Sequence, residues 1–147
     1  MSLSQRINED LKKAMKAKDA PRVSCLRMLK TAIKNKQVER GESLKDEEIQ
    51  SVVSSLIRKG KEAVDGFKQG QRDDLVAQEE QDIKILYEYL PDQLTPDQIE
   101  ENLKEIISDV SASGLKDMGK VMKAAMDRMA GKVQGKEVNT IARKLLS

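Results

Sequence analysis

Apolar residues recur along this chain at the three-to-four-residue interval of a helix, and no useful length alternates with the two-residue period of a strand. Leu3, Ile7, Leu11 and Ala14 form the first stripe and predict a helix over residues 4–18, with Ser4 as its N-cap. Asp19, Ala20 and Pro21 make a turn that restarts a helix carrying Leu26, Leu29 and Ile33 and stopping near Gly41. Ile49, Val52, Val53, Leu56, Ala63, Val64 and Phe67 mark a third, longest helix, opened by Asp46, Glu47 and Glu48, where carboxylates suit a helix N-terminus, and broken at Gly70. A fourth helix carries Val76, Ile83, Leu86, Tyr87 and Leu90 until Pro91 stops it.

Residues 89–98 hold two of the chain's three prolines and read as a hinge. Thr95 at N-cap, Pro96 at N1 and Gln98 at N3 spell a capping box for a fifth helix along Ile99, Leu103, Ile106, Ile107 and Val110. Gly114 is the expected left-handed stop. Asp117 then caps a sixth helix with Met118, Met122, Ala125, Met126 and Met129 on one side, and Gly131 ends it. A seventh runs from about Lys136 with Val138, Ile141, Ala142 and Leu145. The expected fold is all-α, with a four-helix region over residues 1–94 and a three-helix tail domain over 95–147.

Composition supports helix over sheet, since aromatics are 2% and charged residues 35% of the chain. Histidine is absent, which removes the commonest general base and the imidazole metal ligand. The single Cys25 forms no internal disulfide and reads as a helix-packing residue in a reducing, cytoplasmic setting. Residues 1–13 are polar and charged, and no stretch reaches the roughly 20 apolar residues of a membrane span, so a soluble protein off the membrane is expected. Adjacent carboxylates such as Asp73–Asp74 and Glu79–Glu80 point in different directions on a helix and define no metal site. Gly119 and Gly131 match no phosphate-loop pattern. No set of nucleophile, base and oxyanion donor emerges, and neither cofactor nor metal is implied. The methionines of the sixth helix could line an adaptable groove, but their helical spacing favours core packing.

The net charge of +2 hides strong segregation. Residues 1–40 carry eleven Lys/Arg against four Asp/Glu, residues 41–95 seven against thirteen, residues 96–114 one against five, and residues 115–147 eight against three. Arg27, Lys30 and Lys34 share one face of the second helix. Lys116, Lys120 and Lys123 share a face of the sixth, and Lys136, Arg143 and Lys144 lie near one face of the seventh, so the tail offers a cationic surface to phosphates.

Asp117-Met118-Gly119-Lys120-Val121-Met122, then Gly131-Lys132, the helix from Val138 to Leu146 and the hinge Tyr89-Leu90-Pro91-Asp92-Gln93-Leu94 together resemble the GatB/YqeY family over essentially the whole chain. In that family the tail is shared with the B subunit of the glutamine-dependent aminoacyl-tRNA amidotransferase, where it contacts the tRNA body. The resemblance implies a stand-alone, tRNA-associated accessory module, with Lys120, Lys123 and Lys132 as first candidates for phosphate contact. Lys116, Lys136, Arg143 and Lys144 extend that surface. It also implies an association with amidotransferase subunits and with carbon–nitrogen ligase activity using glutamine as amido-N-donor. That activity belongs to the full B subunit, whose large catalytic domain has no counterpart here, so no catalysis by this chain alone is expected. The alternative is a helical protein–protein adaptor that docks its acidic middle, residues 41–95, on a basic partner.

Overall fold

The computed structural model describes residues 1–147 as seven α-helices and one short 3-10 turn, without a strand. Two compact units divide the chain, Met1–Leu90 and Pro91–Ser147.

The first unit holds α1 (Leu3–Lys16), α2 (Ala20–Arg40), α3 (Asp46–Gln69) and α4 (Asp73–Tyr87). α1 starts one turn-residue earlier than the apolar pattern suggests, and its cap is Ser2, not Ser4. Ser2 Oγ accepts from the Gln5 N–H at 3.1 Å while Gln5 Oε1 accepts from the Ser2 N–H at 3.0 Å. Ser4 would have Ile7 at N3, which cannot return the bond. Asp19 caps α2, accepting from the Arg22 N–H at 3.3 Å, and Gly41 closes it at φ +75°. α3 buries Ile49, Val53, Ile57, Gly60 and Val64, and its pairing with α4 is the most extensive in the chain. Gly60 permits this approach, because a Cβ there would stand 3.0 Å from both Glu79 Oε1 and Ile83 Cγ1.

α4 departs from its expected stripe. Its last turn tightens, with Glu88, Tyr89 and Leu90 N–H groups donating to the carbonyls of Ile85, Leu86 and Tyr87. Ile85, Leu86 and Tyr89, which their i, i+1, i+4 spacing sets on one helical face, are all three buried, while Ile83, Tyr87 and Leu90 lie on the neighbouring face and are only partly buried. The core of this unit also takes Leu3, Ile7, Cys25, Leu26, Leu29 and Leu44.

The second unit holds α5 (Pro96–Asp109), the 3-10 turn Leu115–Asp117, α6 (Met118–Arg128) and α7 (Gly135–Leu146). The capping box forms as the sequence spells it: Thr95 Oγ1 accepts from the Gln98 N–H at 3.2 Å and Gln98 Oε1 from the Thr95 N–H at 2.9 Å. Gly114 is not the left-handed stop. Its backbone is extended, and Ser111, at φ +55°, makes the reversal after the α5 C-cap, Val110. α6 faces inward through Val121, Ala125 and Met129, while Met118, Met122 and Met126 flank that face half-buried. α7 buries Val138, Ala142 and Leu146, one residue beyond the expected Leu145. These six, with Ile99, Leu103, Ile106 and Val133, form a core that shares no residue with that of the first unit.

Candidate nucleic-acid interface

The tail's cations sit opposite its core. On α6 the inward positions recur every four residues from Val121, which turns Lys120 and Lys123 outward, and both are exposed. Asp127 follows Lys123 by four residues and shares that side. Lys116 does not share the helix, because it falls in the 3-10 turn before α6, also exposed. Asp117 holds the N-cap position of α6 but does not cap it with its side chain: its carboxylate reaches back to accept from the Ser113 N–H at 2.8 Å. That backbone bond, with Lys116 and Lys120 nearby, holds the Asp117 carboxyl below its ordinary range. Asp117 is therefore a charge set among the lysines, and an incoming phosphate must compete with it.

Lys132 stands in the turn between α6 and α7, exposed, after Gly131 at φ +77°. Its backbone is fixed on both sides: its N–H donates to Met129 O at 3.0 Å, and its carbonyl accepts from the Leu94 N–H at 2.9 Å. The Gln93 side-chain amide donates to Pro91 O and Gly131 O, each at 2.9 Å. The proline-rich hinge and the Gly131-Lys132 turn, far apart in sequence, thus lock each other. Sequence reading found both segments but not that link, since nothing in either spacing reports a hydrogen bond across 38 residues.

On α7, Lys136 and Arg143 are seven residues apart and lie on the exposed side with Lys144 one step round the helix. Arg143 Nε donates to Asn139 Oδ1 at 3.0 Å, which orients the guanidinium along the helix surface. Of the tail's other cations, Arg128 is committed to Glu105 of α5 and Lys104 lies 3.7 Å from Glu100. The exposed cations stand in three groups, on the 3-10 turn and α6, on the α6–α7 turn and on α7.

The rest of the chain offers little chemistry. Cys25 is 1% exposed, its thiol donates to the Asp82 carbonyl at 3.6 Å, and burial pushes it up to about 12, so it stays an unreactive thiol. No group of three His, Cys, Asp or Glu side chains is placed to hold a metal ion. No helix is long and apolar enough to cross a membrane.

These features define an all-helical protein whose C-terminal unit presents exposed lysines and an arginine on α6, on α7 and on the turns before them. The family model for Yqey-like proteins matches residues 4–146, and the chain belongs to that family. Among curated proteins it is similar to altered inheritance of mitochondria protein 41, mitochondrial, of Saccharomyces cerevisiae, at 32% identity over 135 residues covering 89% of this chain and 70% of the relative. The proteins of the same name from Eremothecium gossypii and Lachancea thermotolerans are 35% and 39% identical over 85 residues, covering 57% of this chain and 46% of each relative. Those relatives are named mitochondrial, so the likeness does not carry the cytoplasmic expectation.

Proposed function

We propose that this YqeY-like chain is a non-catalytic accessory module that binds tRNA through the phosphate backbone, using the outward cations of its C-terminal unit. The observation that supports it best is the fixed placement of Lys120, Lys123 and Lys132 on exposed positions of a segment resembling the tRNA-contacting tail of the amidotransferase B subunit. Backbone contacts of this kind position an RNA without reading its sequence. The reading entails a polyelectrolyte signature. If three to five tail cations engage a duplex stem, they contribute a slope of roughly −3 to −4.5 to log K against log salt. Replacing Lys120 and Lys123 by Glu is expected to weaken binding of all tRNAs alike and to flatten that slope by about 2. Fluorescence anisotropy with unfractionated tRNA over a salt series measures both. Salt-independent binding, or a double variant that binds as well as the parent, removes this reading and leaves a protein adaptor built on the acidic residues 41–95.

A further inference from the structure

The second helix carries a feature that the tail-based reading leaves unused. Between Asp19 and Glu39, α2 contains no carboxylate, a run of nineteen residues that spans about 28 Å of helix. Five cations fall within it. Arg22 is taken by Glu88 and Asp19, at 3.0 and 3.6 Å, and Lys36 lies 3.7 Å from Glu39. Arg27, Lys30 and Lys34 remain, all exposed, on a face beside the buried stripe Cys25, Leu26, Leu29 and Ile33, and without an ion pair to any helix packed against α2. The acidic residues of the same unit gather instead in α3 and α4, beginning with Asp46, Glu47, Glu48, Asp73 and Asp74 in their first turns.

We propose that the Arg27–Lys30–Lys34 face of α2 is a second contact for RNA, gripping the phosphodiester backbone of a duplex stem. This rests on the tRNA reading above and extends it to the first unit. From Arg27 to Lys34 the helix rises about 10 Å. Charges on one strand of a nucleic-acid duplex repeat on the order of every 3.4 Å along the axis, so the three cations face about three phosphates. A stem is favoured over unpaired bases because the face has no aromatic side chain on which a base could stack. It is favoured over a lipid surface because α2 turns its apolar side, Leu26, Leu29 and Ile33, into the core and exposes only Met28 and Val38 as large apolar residues, ten positions apart and too few to make a broad face for insertion.

The test titrates unfractionated tRNA against the full chain, a triple variant R27E/K30E/K34E, a milder triple variant to Gln, and the tail variant K120E/K123E, each checked for helix content. The charge-reversed α2 variant should bind at least tenfold more weakly at about 0.1 M salt and lose about 2–3 from the salt slope, with the Gln variant in between. If the tail variant weakens binding and both α2 variants match the parent, the second contact is wrong and the tail reading stands. If the parent binds no tRNA, both fall. In a parallel flotation arm with phosphatidylglycerol vesicles, parent binding that the α2 variants lose while tRNA binding is unchanged assigns the face to lipid and overturns the proposal.

Discussion

Tyr89 combines a buried ring, a hydroxyl bonded to a half-buried carboxylate and an exposed cation over the ring. The ring is 2% exposed, the hydroxyl donates to Asp10 Oδ2 at 2.6 Å, and the Arg6 guanidinium lies 4.8 Å above the ring centroid. Burial and then the Asp10 bond push the hydroxyl's ionisation well above its ordinary range. Tyr89→Phe keeps the packing but leaves the carboxylate without this donor. Because Asp10 retains contact with water, the expected loss is about 1–2 kcal/mol, toward the lower end for a charged hydrogen bond, read from the urea midpoint. Cys25 gives a sign-specific pH effect. An unfolded thiol ionises near 8.5, whereas the folded one is held up to about 12. Its contribution is thus fully present below about 8.5 and is lost as pH rises toward 12. Cys25→Ala should lower stability at pH 7.5 yet show a shallower further loss at pH 10 than the parent. Parallel losses would rule the linkage out. Cys25 was legible as a helix-packing residue, whereas the Tyr89–Asp10 bond was not, because it spans 79 residues.

At the scale of the helix, what could be read was what is decided within four residues. Thr95 and Gln98 announce their capping box because both partners lie in one turn, and Gly41 its stop because the required positive φ favours glycine. Gly114 misled because Ser111, a residue that seldom takes positive φ, makes the reversal three residues earlier. The α4 stripe misled because Ile83, Tyr87 and Leu90 line one apolar face and Ile85, Leu86 and Tyr89 the next, and only the packing of α4 on its neighbours selects the second for the core. Gly60, inside the third stripe, is a contact point that nothing in its local sequence announces. It and Gly66 lie in the same helix and should respond in opposite ways. At Gly66 nothing lies within 4 Å of an added Cβ, so Gly66→Ala should stabilise by about 0.5–1 kcal/mol through helix propensity alone. At Gly60 the stiff, β-branched Ile83 blocks the space, and Gly60→Val should destabilise by about 1–3 kcal/mol. Thermal unfolding of the two variants, run side by side, checks both signs.

Over the whole molecule, charge segregation was visible in the sequence because it needs only counting, and the cationic tail residues came out exposed because cations seldom enter cores. What counting could not show is which cations are already spent on carboxylates, as Arg128 is on Glu105, or where Lys116 falls relative to α6. The two cores, by contrast, bear on how the chain unfolds. One draws on residues from Leu3 to Leu90 and the other on residues from Leu94 to Leu146, with none in common. The segment Pro91–Ser147 also keeps its own hinge-to-turn hydrogen bonds, Leu94 to Lys132 and Gln93 to Gly131. Separated from the rest, it should therefore fold with its three helices. A chain of this size, however, buries only about 60% of its unfolded surface and has no disulfide or metal to support it, so its stability should be marginal. The expected result for the fragment is a dispersed proton NMR spectrum at low temperature and a cooperative melt well below that of the intact chain. A collapsed, poorly dispersed spectrum would mean that residues 1–90 are needed to order the tail, and that the two cores, though they share no residue, form a single cooperative unit.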